Sequence, residues 1–303
     1  MGATLKTILV AVALAIGAFL IYGLIEPRLL DVEEETAVIP NLPEEWEGQE
    51  VAVIGDYQIG MWLDNGSTVE EAVAEIVERD PVAVLMLGDF IYHVNDQSEQ
   101  EVAQALEVLR PIGEASIPVY AVLGNHDFGL QKENGGNPDP EAAERLRNAL
   151  QDIGIQILHN EAVALDGEGA VLPEGEPGLF IAGIGSEWAD NDVPAEALND
   201  IPAEAPRVVM MHNPNSFDEI KADAAPLAIA GHTHGGQIRL PGLPEWSWMS
   251  LTSNTEVHAD GWIDGYGAEG NRLYVNRGIG MSTIPIRFNC KPELTMFTLV
   301  SPQ

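Results

Sequence analysis

The sequence predicts an α/β domain, largely parallel in its first half, carried behind an N-terminal membrane helix. Three observations predict it. Short apolar runs alternate with stretches of helical periodicity, the segment Thr7 to Ile25 carries no charge, and several apolar runs end abruptly in Gly followed by Asp, Asn or His. Continuous apolar runs suit strands covered on both faces, and alternation with helices suits crossover connections that keep strands parallel.

The chain has 303 residues, of which 14 are Lys or Arg and 48 are Asp or Glu, a formal charge of −34. That length allows one large domain or two small ones. A hydrophobic share of 46% excludes wholesale disorder. Without a basic surface, nucleic acid is excluded as a default partner. One cysteine, Cys290, excludes an intrachain disulfide, so core packing and metals are the available stabilisers. Lysine occurs only at Lys6, Lys132, Lys221 and Lys291. Self-repulsion on this scale calls for screening, and at 1 M salt the Debye length is about 3 Å. Adaptation to high salt is the favoured reading, and an ordinary solubilising surface the alternative.

Taken in order, Thr7–Ile25 as a helix would span about 28 Å, close to a bilayer's hydrocarbon thickness. Lys6 precedes it and acids dominate after it, which favours a cytoplasmic N-terminus and a domain on the extracytoplasmic side. Small-residue cleavage sites lie inside the apolar run rather than after it, so residues 1–25 read as an uncleaved membrane anchor and not a signal peptide. Residues 26–47 are acidic, contain Pro27, Pro40 and Pro43, and read as a linker or stalk to a domain at 48–303.

Within that domain Val51–Ile54 is a buried strand ending in Gly55-Asp56. Ser67 and Glu70 suggest a capping box for a helix to about Arg79, with Val69, Val73, Ile76 and Val77 on its apolar face. Val82–Leu87 is a second strand ending in Gly-Asp. A helix over about Glu99–Leu109 follows, then a strand Val119–Leu123 ending in Gly124-Asn125-His126-Asp127. Asp139 with Pro140 marks an N-cap and first helical residue, for a helix to about Leu150. Later apolar runs are Leu179–Ile184, Val208–Met211, Leu227–Ala230, Leu273–Val275 and Leu294–Val300, and the loops at 129–138 and 241–271 are long.

Five strand ends carry metal-binding residue types: Asp56 in GDYQ, Asp89 in GDF, Asn125, His126 and Asp127 in GNHD, His212 in MHNP, and His232 and His234 in GHTHGG. Carboxyl ends of parallel strands form the crevice in which α/β sheets bind ligands. Singly, each residue is as readily a turn or cap residue. Together and in this order they specify one cluster of oxygen and nitrogen donors.

The ordered set GD, GD, GNHD, a single His and GHTH resembles the calcineurin-like metallophosphoesterase superfamily, from about Val51 to the C-terminus. GHTHGGQ and the tail RGIG…IPIRFNCKPELTMFTLV are similar to its membrane-anchored branch, which includes enzymes acting on phospholipid-like and UDP-diacylglucosamine substrates. The resemblance implies a four-layer α/β/β/α sandwich with a two-metal site at the strand ends. It implies metal-dependent hydrolysis of a phosphomono- or diester, a lipid-linked one among the candidates, by a hydroxide activated between the ions. By motif, Asp56, Asp89 and His234 would hold one metal, Asp89, Asn125, His212 and His232 the other, and His126 with Asp127 beside it would be catalytic. The donor set suits Mn, Fe or Zn. Two alternatives stand beside this reading: a nucleotide or cyclic-nucleotide phosphodiesterase, and a catalytically weak metal-binding module. The second arises because the family's Asp-x-His is here Asp56-Tyr57-Gln58, whose glutamine either ligates through its carbonyl oxygen or hydrogen-bonds metal-bound water.

Four further features are open. His93 faces the cleft as a substrate contact, or is packed or solvated. Arg287 meets a substrate phosphate or pairs with a carboxylate. His159 reads as structural and His258 as exposed. Trp246, Trp248, Met249, Trp262 and Tyr266 form a membrane-facing or acyl-binding lip, or pack their loop onto the domain.

Overall fold

The structure is a computed structural model, and it describes residues 2–63, 65–95, 98–133, 135–252 and 257–302. Parts of both long loops, at 134 and 253–256, lie outside the described residues. The apolar N-terminal run forms α1 (Ala3–Ile25), exposed along most of its length and long and apolar enough to cross a membrane.

Among the described residues the strands form two six-stranded sheets and one hairpin. The first sheet contains β1 (Asp31–Val38), β2 (Glu50–Ile54), β3 (Ala83–Met86), β4 (Val119–Ala121) and β5 (Ile155–Ile157). The second contains β6 (Glu161–Leu165), β7 (Leu179–Gly183), β8 (Arg207–Met210) and β9 (Ala228–Ala230). The hairpin is β10 (Arg239–Leu240) with β11 (Leu243–Ser247). Strands β12 (Gly261–Ile263) and β13 (Leu273–Val275) complete the second sheet, and β14 (Glu293–Val300) returns to the first. The orders are β1-β14-β2-β3-β4-β5 and β12-β13-β9-β8-β7-β6, with β2 to β5 parallel to one another and β7, β8, β9 and β13 likewise.

Period-two alternation assigns the layers. Val51 and Val53 face the second sheet and pack with Leu85, Leu179, Ile181 and Phe297. Ala52 and Ile54 face outward, onto the helices α2 (Gly66–Arg79), α3 (Ser98–Glu114) and α4 (Pro140–Gln151). The outer face of the second sheet is covered by α5 (Pro194–Leu198) and the turn around Phe217, while α6 (Trp248–Thr252) follows the hairpin. The result is the expected helix–sheet–sheet–helix sandwich, with mixed rather than purely parallel sheets.

Two local expectations change and one holds. Ser67 lies inside α2, which starts at Gly66 after Asn65. That asparagine donates to the Tyr57 carbonyl at 2.7 Å instead of capping the helix. α3 continues past Leu109 through Pro111, because Ile112 is buried beneath it and burial offsets the lost ladder donor. Asp139 caps α4 as read, its Oδ1 accepting from Ala142 N at 2.9 Å.

The acidic stretch 26–47 is not a stalk. Strand β1 pairs in parallel with β14 along its whole length, and Ala37, Ile39 and Trp46 are fully buried. Its acids have partners. Arg277 Nη2 donates to Asp31 at 3.2 Å and Glu33 at 2.9 Å, Arg79 to Glu34 at 3.1 Å, and Trp262 Nε1 to Glu35 at 2.9 Å. Nor does α1 hang free. The Gly23 carbonyl accepts from Arg287 N at 3.0 Å, Phe19 and Tyr22 pack on Phe288, and the buried Glu26 carboxylate accepts from the Asn289 and Cys290 amides.

Candidate metal centre

Strands β2, β3, β4, β8 and β9 end at one edge of the sandwich, and each delivers its polar residue there. The turns are tight. Asp56, Gln58, Asp89, His232 and His234 all have φ between 48° and 70°, the left-handed region that costs a non-glycine residue about 1–3 kcal/mol. Close approach requires glycine at the neighbours: a Cβ on Gly124 would fall on Asp89 Oδ1, and one on Gly278 would meet the Asp56 side chain.

Two clusters result. Ligand atoms of Asp56, Asp89 and His234 lie within 4.8 Å of one another. All three residues are buried, and Asp56 accepts two hydrogen bonds from His232 N at 3.0 and 3.1 Å. The second cluster surrounds His212. Its Nδ1 bonds the Leu87 carbonyl at 2.7 Å, which assigns that nitrogen the proton. Its Nε2 then faces Asp89 Oδ2 at 3.3 Å, Asn125 Oδ1 at 3.1 Å and His232 Nδ1 at 3.2 Å. Asn125 cannot flip to offer a donor, because its Nδ2 donates to the Leu130 carbonyl at 2.5 Å. A proton on His212 Nε2 satisfies one of these neighbours at a time; a divalent cation satisfies all of them. The residues therefore fit a metal.

Electrostatics agree with a site arranged around positive charge. Burial pushes the Asp56 carboxyl up to about 7, with Asp89 adding to the rise and His212 opposing it. Burial acts in the same sense on Asp89, but His212 and His126 outweigh it and hold this carboxyl well below its usual range. Burial disfavours the charged form of His212, yet Asp89 overcomes this and raises it to about 9. Burial lowers His232 to about 3 and His234 well below the usual imidazole value.

Gln58 is fully buried. Its Nε2 donates to Asp89 Oδ2 at 2.8 Å, while its Oε1 is buried without a hydrogen-bond partner. Such an orphan acceptor costs about 1–3 kcal/mol unless something else fills it. His126 sits beside both clusters, its amide donating to Asp89 Oδ1 at 2.9 Å and its Nδ1 bonded to the Tyr92 carbonyl at 2.9 Å under a stacked Tyr92 ring. That contact occupies Nδ1 and leaves Nε2 as the ring nitrogen available for chemistry.

Three expectations are corrected by the geometry. Asp127 does not face the cleft. Its Oδ2 accepts from Asp89 N and Gly124 N at 2.9 and 2.8 Å and its Oδ1 from Phe90 N at 2.9 Å, so it shapes the turns that carry Asp89 and Asn125. Arg287 is spent on backbone carbonyls rather than on a carboxylate. It is fully buried, and its guanidinium donates to the carbonyls of Arg277, Gly278 and Gly280, pinning the loop over Asp56. His93 is half-buried and pairs through Nδ1 with Glu101 at 2.7 Å, on the packed side of its two readings. His258 is half-buried against Tyr266 rather than exposed. In the long loop Trp262 packs on Tyr274 and Phe297 and Tyr266 on Phe217, whereas Trp246 and Trp248 stay exposed.

Three contributors escape sequence reading. Tyr92 orients His126, Trp188 packs edge-on against His232 with centroids 4.5 Å apart, and the Leu87 carbonyl sets the His212 tautomer. Two act through backbone oxygen, which leaves no residue-type signal, and Trp188 lies in a segment remote from every motif.

Comparison with known proteins bears on this centre. The family model described as calcineurin-like phosphoesterase matches residues 50–236. The chain is 32% identical to phosphodiesterase YaeI of Escherichia coli (strain K12) over 77% of this chain and 76% of that one. It is 25% identical to the uncharacterized metallophosphoesterase YkuE of Bacillus subtilis (strain 168), covering 91% and 88%. It is also 25% identical to the UDP-2,3-diacylglucosamine pyrophosphatase LpxG of Chlamydia muridarum, covering 89% of each. The chain thus belongs to the calcineurin-like phosphoesterase family, as a metal-dependent hydrolase of phosphoester bonds.

Proposed function

We propose that the protein hydrolyses a lipid-linked phosphoester at a membrane surface, using two divalent ions. Asp56, Gln58, Asp89 and His234 would hold one ion, and Asp89, Asn125, His212 and His232 the other. Mn, Fe or Zn suits these mixed carboxylate, amide and imidazole donors better than Mg or Ca. Bound there, the ions would supply charge for the attacking and leaving oxygens of an in-line displacement at phosphorus. As an imidazolium, with its Nδ1–H donated to the Tyr92 carbonyl, His126 would give its Nε2 proton to the leaving oxygen and be left neutral. Asp127 and Arg287 hold the turns and the covering loop in place.

The observation that carries the reading is the convergence of Asp56, Asp89 and His234 ligand atoms within 4.8 Å. The lipid-linked substrate is supported by α1 and by the LpxG relative, whose name specifies a diacylglucosamine nucleotide. Lys6 before α1 and the acids after it support an extracytoplasmic domain.

The test uses the full chain in detergent with added Mn and bis-p-nitrophenyl phosphate. Wild type turns over, Asp89→Ala abolishes turnover, and His126→Ala lowers kcat by about 10²–10⁴-fold. Wild-type rates in both variants would dismiss the site. Metal binding without turnover would support the non-catalytic module, for which the neutral Gln58 is the argument. A preference for nucleotides over diacylglycerol phosphoesters would overturn the substrate class alone.

A further inference from the structure

Outside α1, Leu29, Val38, Val171 and Val193 are exposed singly, and the other exposed large apolar side chains among the described residues fall in two groups. Trp62 is 69% exposed with Leu63 beside it, and Leu243, Trp246, Trp248 and Leu251 are exposed on the hairpin and α6. Each group springs from the candidate metal centre. Gln58 lies four positions before Trp62, and the turn of His234 leads directly into β10. Gly236, at φ 76°, lets that turn lie against Ser247, and Trp248 N donates to the Ile238 carbonyl at 2.9 Å, so α6 folds back onto the same turn.

Both groups are also fastened to the end of α1. On one side Thr68 Oγ1, in the first turn of α2 after the Trp62 loop, donates to the Pro27 carbonyl at 3.0 Å. On the other, Arg239 N donates to the Phe288 carbonyl at 2.9 Å, Phe288 N donates to the Gln237 carbonyl at 3.0 Å, and the Phe288 ring carries Phe19 and Tyr22 of α1. Tryptophan and leucine exposed beside the point where an apolar helix ends are placed where a bilayer's interface begins.

We propose that the Trp62 loop and the 240–251 hairpin and helix rest in the lipid interface on either side of α1, holding the mouth of the metal centre at headgroup level. The occupant is the bilayer surface itself. The inference rests on α1 as a membrane anchor and is independent of which phosphoester is cleaved. The contact is made by apolar side chains of a chain that carries −34, so screening by salt is not expected to weaken it.

The experiment is quenching of tryptophan emission by lipids brominated on the acyl chain, with the full chain in phosphatidylcholine vesicles and flotation as the anchor control. Wild type floats and is quenched. The triple variant Trp62→Ser, Trp246→Ser, Trp248→Ser floats, loses the quenching, and hydrolyses bis-p-nitrophenyl phosphate within twofold of wild type, which shows that it is folded. Wild type that floats but is not quenched, or a triple variant quenched as strongly as wild type, overturns the inference and leaves the anchor standing. A chain that does not float overturns both.

Discussion

Gln58 is where this chain tests its own chemistry. Its orphaned Oε1 and its bond to Asp89 leave one neutral oxygen where the family pattern has an imidazole. Gln58→His is expected to tighten binding of the first ion by about 10–100-fold, read by calorimetric titration with Mn, because imidazole is the stronger donor. Unchanged or weaker binding would assign Gln58 to water instead. The identities at this scale were open to sequence reading because Asp, Asn and His next to glycine at strand ends form a pattern. Asp127 and Arg287 were misread for one reason: residue type reports the chemistry a side chain can do, not the direction in which it points. Asp127 is spent on four backbone amides of the adjoining turns, and Arg287 on carbonyls of its own loop.

At the scale of elements, strands and helices were legible wherever the hydrophobic period was local, as in β2, β3 and α4. Strand β1 was not, because its acids and prolines describe a linker until Arg277, more than 240 positions away, is seen between Asp31, Glu33 and Glu293. Glu293 is fully buried and its acidity is weakened by that burial, with Arg277 as the opposing charge. Arg277→Met is therefore expected to cost about 3–5 kcal/mol in urea unfolding, by stranding a buried carboxylate and loosening β1 from β14. A loss under 1 kcal/mol would mean that β1 is held by its ladder alone. His159, between β5 and β6, supplies a pH dependence. Burial and the Arg147 charge lower its pKa below 6.5 in the folded state, so the unfolded chain takes the proton first. Its neutral form's contribution is complete above pH 6.5 and is lost as pH falls through that value toward the folded pKa. His159→Gln should flatten the decline in urea midpoint between pH 7.5 and 5, and an unaltered slope would remove His159 from the account.

For the molecule as a whole, charge and metal act on the same balance. A chain at −34 with two buried carboxylates in its site gains stability from any cation that binds only the folded state. Chelation is expected to lower the melting temperature, and added Mn to restore it. If the acidity reflects adaptation to salt, the metal-loaded protein should also melt at lower temperature in dilute buffer than in molar KCl, whereas equal melting in both would make the acidity a matter of solubility. The hydrophobic pattern alone gave an α/β domain, and the four-layer sandwich came only through the family resemblance carried by the GD, GNHD and GHTH motifs. The fastening of α1 to the 286–290 loop was not legible, since it depends on backbone amides reaching the Gly23 carbonyl and the Glu26 carboxylate, which no periodicity announces.

The central claim is that distant strand ends share a pair of ions through Asp89. Anomalous scattering from crystals of the Mn-loaded full chain tests it most directly. Two peaks about 3.5–4 Å apart with the Asp89 carboxylate between them are the expected result. A single peak, or peaks away from Asp56, Asp89 and His212, would contradict it.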